Sequence, residues 1–351
     1  MTKMTGLERL HKVMNNEEPD QVPHGELHAQ KVRDAILPGA SYADFVDHLD
    51  LDFICGYDKL VSWQWEMEDD AKLIVRDQWG GLAQLTSDQP HPMDPAIKSE
   101  KDLDGYTPPD PDDPRRMAWM AEWIDRFKGN RAIVAHATDV FDVARESLLG
   151  DVPYFTAMIT NPEFIHRIND IVLDYTLKYL KNCIEVGADA LFISGDCATT
   201  TAPMVSVEHA KTFLTPALKK IVELGHAHNL PVFKHSDGDI TQIFDVMLDT
   251  GINGIHPIDP MAGMDLEKVK KEYGDRVCLL GNVSCADTLC EGNREEVRAE
   301  VKDCIRKAGK GGGYICMSSN SIHSGVKPEN YLTMLEAIRE FGQYPLEWID
   351  E

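Results

Sequence analysis

His235 and Asp237 have the residue types and the spacing of metal ligands. They are two positions apart, so at the end of an extended strand both side chains point to the same side. Cys316, on a later apolar stretch, could add a thiolate and complete a three-ligand zinc site with an open position for substrate or water. The alternatives are a hydrogen-bonded polar pair at a strand end for His235 and Asp237, and a packed core cysteine for Cys316.

Asp58 and Asp196 each follow an apolar, strand-like run directly. A carboxylate that faces a closed pocket is costly without a partner, so each should meet a counter-group or a substrate. We therefore predict that both are catalytic. The alternative is helix capping, which explains Asp196 less well because three threonines at 199–201 follow it instead of a clean helix start.

Further polar and aromatic residues lie at or just after the ends of apolar runs. We predict that Glu26 is a third catalytic residue and that substrate contacts come from His28, Trp63, His256 and Asn320. The ring of Trp63 could form a wall for an apolar aromatic substrate, although core packing is the more common use of tryptophan. Polar residues at so many strand ends suggest a reaction pocket.

Such residues meet only if the fold gathers the strand ends, and the sequence pattern predicts such a fold. Short apolar, β-branched runs alternate with longer stretches of helical period, which is typical of β-α units and a parallel sheet. Eight units predict one (β/α)8 barrel, an α/β fold, as a single domain over residues 1–351. The predicted strands are Val22–His28, Leu51–Tyr57, Ala132–Thr138, Ala188–Gly195, Pro231–Ser236, Gly254–Ile258, Val277–Val283 and Tyr314–Ser318.

Two additions to the barrel are predicted. The first 14 residues carry charges every few positions and predict an amphipathic N-terminal helix. The interval after the second strand is too long for one crossover, so residues 63–130 should form an excursion. Within it, Lys72–Arg76 and Gly81–Leu85 alternate in the way that a hairpin does, and Arg115–Phe127 has the pattern of a helix.

Composition and charge exclude several functional classes. The 351 residues carry a formal net charge of −24, which disfavours phosphate backbones and anionic lipid, so we expect no nucleic-acid and no membrane partner. The apolar runs are only strand-length and the N-terminus has no secretion signal, so we expect a cytoplasmic protein. Its eight cysteines include no CxxC pair and are predicted to be reduced thiols.

Three stretches resemble the uroporphyrinogen-decarboxylase superfamily, and the resemblance covers nearly the whole chain. The stretches are DFICGYDKL around Asp58, SGDCATTTAPMVSVEHAKTFLTPALKKIVE from Ser194 and GGGYICMSSNSI from Gly311. This superfamily contains decarboxylases that act on porphyrinogens and zinc-dependent methyltransferases that work with corrinoid proteins. The resemblance implies a barrel enzyme whose active site lies at the C-terminal ends of the strands.

The sequence departs from both branches of the superfamily. The decarboxylases carry an arginine-rich segment that binds substrate carboxylates, and the corresponding residues 23–30 here contain no arginine. A substrate with many carboxylates needs Arg or Lys in the pocket, so this departure argues against a porphyrinogen. In the corrinoid-linked branch a His-x-Cys zinc pair falls on His235 and Asp237, and the third zinc cysteine falls on Asn320, with Cys316 nearby as a substitute.

The resemblance to the corrinoid-linked branch implies a zinc-dependent methyltransferase of the O-demethylase type. Replacing a thiolate ligand by aspartate favours a harder metal and an oxygen-bound methyl group. We therefore expect methyl transfer from a small methoxylated compound, aromatic donors included, to the Co(I) corrinoid of a partner protein. Two alternatives are a metal-free decarboxylase of a small acid, with Asp58 or Asp196 as proton relay, and a noncatalytic barrel that binds a tetrapyrrole or corrinoid.

Overall fold

The strands that the structure describes form two separate sheets. The computed structural model describes residues 3–57, 66–86 and 90–349. Its strands are β1 (Phe53–Tyr57), β2 (Glu66–Asp69), β3 (Ile74–Arg76), β4 (Leu82–Leu85), β5 (Pro90–Asp94), β6 (Ala132–Thr138), β7 (Ala190–Ser194), β8 (Val232–His235), β9 (Gly254–His256), β10 (Cys278–Val283) and β11 (Tyr314–Ser318).

Helices connect and cover these strands. The α-helices of the described chain are α1 (Gly6–Met14), α2 (Gln30–Ile36), α3 (Tyr42–His48), α4 (Ala118–Phe127), α5 (Val140–Asp142), α6 (Asp151–Thr160), α7 (Pro162–Val186), α8 (Val207–His209), α9 (Thr215–Ala227), α10 (Phe244–Leu248), α11 (Leu266–Tyr273), α12 (Arg294–Ala308) and α13 (Pro328–Phe341). Two π-helical turns, Val143–Leu149 and Ala210–Leu214, follow α5 and α8.

The larger sheet is parallel and curled. Within the described residues it has seven strands in the order β1-β6-β7-β8-β9-β10-β11, so each strand pairs with the next one along the chain. Strand β6 is buried along its whole length, as expected for a parallel sheet that is covered on both faces. The seven strands correspond to seven of the eight predicted strands, and the sheet has the curvature of a barrel of the (β/α)8 type.

The prediction of a first strand at Val22–His28 is wrong for the described structure. This segment is extended but makes only isolated contacts: the carbonyl of Pro23 accepts from the amide of Cys316 at 3.0 Å, and that of His24 accepts from Asp52 at 2.9 Å. Pro23 has no N–H to donate to a ladder. An extended segment, instead of an eighth strand, therefore lies between β1 and β11, the two edge strands of the sheet.

Two layers of core lie on either side of the parallel sheet. One layer, the interior cluster, fills the inside of the curl and includes Leu10, Val13, Phe53, Phe192, Phe233, Ile315 and Met317. The other layer packs the outer face of the strands against the surrounding helices. Side chains alternate along a strand, so membership of one layer or the other shows whether a strand residue points inward or outward.

Helix α1 closes one end of the curled sheet. Thr5 caps the helix in a capping box with Glu8, and Leu10 and Val13 enter the interior cluster. The amide of Leu7 donates to the carbonyl of Asn130, just before β6. The helix therefore covers the N-terminal ends of the strands, and the C-terminal ends are left for the functional site.

The excursion contains the predicted hairpin and extends it. Strands β3 and β4 pair antiparallel, with Val75 opposite Ala83, which confirms the hairpin. Strands β2 and β5 add one strand on each side, so the described part of this sheet is four-stranded in the order β2-β3-β4-β5. After β5, the amides of Ala96 and Ile97 donate to the carbonyls of Ser147 and Leu148, which joins the excursion to the π-helical turn that follows α5.

None of the helices in the described ranges combines the length and the apolar character that crossing a membrane requires.

Candidate metal centre

Three potential metal ligands converge at the C-terminal ends of β7 and β8. His235 is the last residue of β8, Asp237 is two residues further, and Asp196 is two residues beyond β7. One ligand atom from each lies within 4.8 Å of the other two, and the described residues contain no other group of three His, Cys, Asp or Glu with this property. This is the end of the sheet where barrel enzymes carry their active sites.

The strand register explains why these side chains meet. On β8, Phe233 points into the interior cluster, so His235, two residues later, points to the same side. Strands β7 and β8 pair with Ser194 opposite His235. The amide of Asp237 donates to Oδ1 of Asp196 at 2.9 Å, which joins the two loops. Nε2 of His235 lies 3.6 Å from Oδ1 of Asp196 and 3.6 Å from Oδ1 of Asp237.

A chain of hydrogen bonds sets the tautomer of His235. Nε2 of His256 lies 3.1 Å from the carbonyl oxygen of Ser318, which can only accept, so Nε2 of His256 carries a proton and donates it. Nδ1 of His256 lies 2.7 Å from Nδ1 of His235. Burial lowers the pKa of His256 well below its ordinary value, so this ring is neutral and its Nδ1 accepts. His235 therefore donates from Nδ1, and its Nε2 presents a lone pair to the two carboxylates.

Asp237 presents an unsatisfied oxygen to the same point. Its Oδ2 accepts a short hydrogen bond from the side-chain amide of Asn320, and its Oδ1 is buried without a hydrogen-bond partner. Burial, reinforced by Asp196 and Asp259, raises the pKa of Asp237 to about 8, and burial lowers the pKa of His235 to about 4. The 3.6 Å separation of the two groups is too long for a hydrogen bond. A bound cation would favour the ionised form of Asp237, and its Oδ1 and Nε2 of His235 would then both face the cation as acceptors.

Cys316, predicted as the third metal ligand, is not brought to this cluster. Its neighbours Ile315 and Met317 belong to the interior cluster, so Cys316 points to the opposite face of β11 and packs in the outer layer. It is fully buried there, and burial raises the pKa of its thiol to about 12. In the described structure Asp196, predicted as catalytic, occupies the third position beside His235 and Asp237.

His256 and Asn320, predicted to bind substrate, contact the ligands themselves. His256 bonds His235, and Asn320 bonds Asp237. Such partners orient ligand side chains and fix their protonation. Glu26, predicted as catalytic, is buried and accepts from the amide and, at 3.1 Å, from the hydroxyl of Ser318, the residue whose carbonyl meets His256. Burial raises the pKa of Glu26 to about 8.

His28 lies away from these ligands in an aromatic cluster. Its Nε2 is 2.7 Å from the hydroxyl of Tyr331, and its Nδ1 is 3.2 Å from that of Tyr42. Phe45 packs edge-on against the same ring. With both ring nitrogens engaged between α3 and α13, His28 is not brought to the ligand cluster. The predicted catalytic Asp58 and the predicted substrate contact Trp63 lie outside the described residues.

A buried ion pair that the sequence motifs did not predict lies next to the ligands. Nζ of Lys234 lies 2.7 Å from Oδ2 of Asp139, and both side chains are largely buried. Although burial works against the charge, the Asp139 carboxylate holds the pKa of Lys234 above its ordinary value. The signal was present, because a lysine inside the apolar run at 231–235 requires a buried partner.

Comparisons with known proteins agree on a family and a fold. Residues 81–341 match the family described as uroporphyrinogen decarboxylase (URO-D). Curated proteins named uroporphyrinogen decarboxylase are similar in sequence: that of Psychromonas ingrahamii is 24% identical, with 70% of each chain covered, and that of Alkalilimnicola ehrlichii is 25% identical, with 77% of this chain and 74% of the relative covered. A solved methyltransferase structure from Methanosarcina mazei superposes with a TM-score of 0.75 at 20% identity, over 96% of this chain and 99% of that chain.

Proposed function

The chain belongs to the uroporphyrinogen decarboxylase family, and from that premise we propose that it is a zinc-dependent methyltransferase of the O-demethylase type. It transfers the methyl group of a small methoxylated compound, aromatic donors included, to the Co(I) corrinoid of a partner protein. The C–O bond of the donor breaks, its electron pair stays on oxygen, and a proton completes the alcohol or phenol product. Family membership is compatible with this chemistry and with decarboxylation, so the choice between them depends on the site.

The donor atoms at the site carry the proposal. Nε2 of His235 and carboxylate oxygens of Asp237 and Asp196 converge, while the thiol of Cys316 faces the other side of its strand. One imidazole nitrogen and two carboxylate oxygens fit zinc as three protein ligands, with a further position left for substrate. A site without thiolate is harder than a cysteine site, which favours an oxygen ligand over a thiol. This preference supports an oxygen-bound methyl group.

An ether is a poor methyl donor because an alkoxide or phenoxide leaves with a full negative charge. Bound zinc would supply a Lewis acid at the ether oxygen and so reduce the cost of that charge. His256 keeps the lone pair of His235 directed at the site, and Asn320 holds Asp237 with one oxygen available. These two contacts limit the motion of the ligands before the substrate arrives.

The departing oxygen also needs a proton. Glu26 has a pKa of about 8 because it is buried, so it keeps its proton near neutral pH. Its contact with Ser318 connects it to the same strand end as His256. We propose Glu26 as the acid that supplies this proton, with Asp58 as a second catalytic carboxylate and Trp63 as a substrate contact.

The experiment that tests this function is methyl transfer to a Co(I) corrinoid with methoxylated compounds, including methoxylated aromatics. The loss of Co(I) absorption is followed with zinc-loaded protein and with protein stripped by a chelator. We expect turnover that disappears with the zinc and returns when zinc is restored. Turnover of equal rate in the stripped and loaded protein would contradict the proposed role of the metal.

A decarboxylase of a small carboxylated substrate is the rival function. The names of the sequence relatives favour it, since those compared above are uroporphyrinogen decarboxylases. Such an enzyme would use Asp58 or Asp196 as a proton relay and need no metal. Residues 23–30 contain no arginine to pair the many carboxylates of a porphyrinogen. Release of CO2 by chelator-treated protein would favour this rival over methyl transfer.

A further inference from the structure

Lys234 lies directly before a proposed metal ligand, and its polar contacts are with the ends of β6, β7 and β8, of which the last two carry the ligands. We propose that Lys234 is a positioning residue that sets the metal affinity of the site by holding the ends of β6, β7 and β8 together. This inference rests on the proposed function, since it requires that His235, Asp237 and Asp196 bind a metal. Nothing in the sequence pattern alone assigns this lysine a role.

The contacts of the Lys234 ammonium account for its three hydrogens. Nζ donates to the carbonyl of Gly195 at 2.8 Å and to that of His235 at 2.9 Å, and it pairs with Oδ2 of Asp139 at 2.7 Å. With three acceptors in place, the ammonium has no hydrogen left for a substrate. Its role is therefore to hold neighbouring groups.

The two carbonyls belong to the residues where the ligand loops begin. Gly195 directly precedes Asp196, and His235 is both a ligand and the residue from which the loop to Asp237 departs. The amide of Gly195 also donates to the carbonyl of His235, at 3.3 Å. One buried cation thus fixes the distance between the backbone segments that carry all three ligands. Small errors in such distances weaken metal binding.

Asp139 extends the connection to β6. Its Oδ1 accepts from the amide of Phe141 at 2.8 Å and caps α5, while its Oδ2 holds Lys234. The backbone of Gly195 lies against this side chain: a Cβ at Gly195 would be 2.6 Å from Cβ of Asp139. Only glycine permits this approach. A glycine at position 195 therefore lets the Lys234–Asp139 ion pair lie directly against the start of the loop that carries Asp196.

The test is metal affinity of the full chain for Lys234→Met, measured with zinc and with Co2+ by equilibrium dialysis. Lys270→Met is the matched control, because Nζ of Lys270 also donates to a backbone carbonyl, that of Gly312 at 2.6 Å, but just before β11, away from the ligands. We expect Lys234→Met to lose about tenfold or more in affinity, as for other partners of metal ligands, and Lys270→Met to change it by less than about twofold.

The visible spectrum of bound Co2+ adds a readout that general destabilisation does not move. We expect its band positions and intensities to change in Lys234→Met and to stay unchanged in Lys270→Met. If Lys234→Met does not fold, Asp139→Asn and the double variant Lys234→Met/Asp139→Asn replace it, because the double variant leaves no buried charge unpaired. The same loss of affinity is expected in both.

The outcomes separate this inference from the proposed function. Metal binding by the wild type with equal affinity and an equal Co2+ spectrum in the folded Lys234 and Asp139 variants would overturn the role of Lys234 and leave the metal site standing. Absence of metal binding by the wild type would overturn both. A weakened, spectrally altered site in the Lys234 and Asp139 variants alone supports the inference.

Discussion

The two ends of the parallel sheet differ in how their buried charged and polar groups are paired. At the N-terminal end, Arg9 meets Asp52 at 2.8 Å and Asp20 at 2.7 Å, so its charge is paired twice. At the C-terminal end, Nε2 of His235 faces the oxygens of Asp196 and Asp237, and Oδ1 of Asp237 has no hydrogen-bond partner. The paired charges around Arg9 serve stability, whereas the groups around Nε2 of His235 are arranged for a cation that binds from outside.

Breaking the N-terminal pairing should have the largest effect on stability. Arg9→Met leaves Asp52 buried and reduces its counter-charge, so the free energy of unfolding should fall by about 3–5 kcal/mol. Urea unfolding measures this loss. Lys3→Met, which removes the exposed pair with Asp50, is the control and should cost less than about 1 kcal/mol. Zinc bound per folded chain should stay at the wild-type value in both, and its loss in Arg9→Met would contradict the division between the two ends.

A pH effect on stability is expected from Glu26 at the C-terminal end. Burial raises its pKa to about 8, above the value of an unfolded glutamate, so the folded chain holds a proton that the unfolded chain releases. The stability from this group is present at low pH and is lost as pH rises toward 8, by at most about 4 kcal/mol between pH 5 and 8. Urea unfolding with chelator present should show this slope in the wild type and in the exposed control Glu272→Gln.

The variant Glu26→Gln should reduce that dependence, because glutamine carries no titrating proton. The remaining slope is expected from Asp237, whose pKa burial also raises to about 8. A slope in Glu26→Gln equal to that of the wild type would show that another group is responsible.

Removing the partner of Asp237 should weaken metal binding without a matching loss of stability. Asn320→Ala takes away the amide that holds Oδ2 of Asp237, and zinc affinity should fall by about tenfold. Asn330→Ala is the contrast: its amide donates to the carbonyls of Thr288, Leu289 and Gly292, so its loss should lower stability and leave zinc affinity unchanged. Equilibrium dialysis and urea unfolding on both variants separate the two effects. Equal zinc affinity in the two variants would argue against the role of Asn320.

The smallest effect is expected at Cys316. Its thiol is buried in the outer layer, so Cys316→Ala should lower the free energy of unfolding by about 1 kcal/mol and change zinc affinity by less than about twofold. Zinc titration of the variant checks this. A large loss of zinc would mean that the thiol reaches the ligands after all and that the all-nitrogen-and-oxygen donor set is wrong.

The sequence predicted most of the fold because parallel strands have a strong signature. Apolar runs separated by helical stretches identify β6 at its observed bounds, and β7 and β8 within two residues. The failure at Val22–His28 has a local cause. The residues have the apolar pattern of a strand, but Pro23 has no backbone N–H to donate. Pairing also depends on the backbone donors and acceptors that the neighbouring strands present to the segment. The pattern shows which segments are extended and does not show which of them form ladders.

The site was predicted in part for similar reasons. The two-residue spacing of His235 and Asp237 predicts that both side chains point to the same side of the strand end. This prediction depends only on the local sequence. The position of Cys316 away from the ligands could not be predicted, because all five residues of β11 are buried and burial does not distinguish the inward face from the outward face. The chain from Ser318 through His256 to His235 depends on the register of separate strands, which no local pattern contains.

The proposed metal site is best tested by the zinc content of the 351-residue chain purified without chelator, for the wild type, His235→Ala and Cys316→Ala. We expect about one zinc per chain in the wild type and in Cys316→Ala, and none in His235→Ala, with all three folded by circular dichroism. A wild-type protein without zinc, or a His235→Ala variant that keeps it, would rule out the proposed ligands.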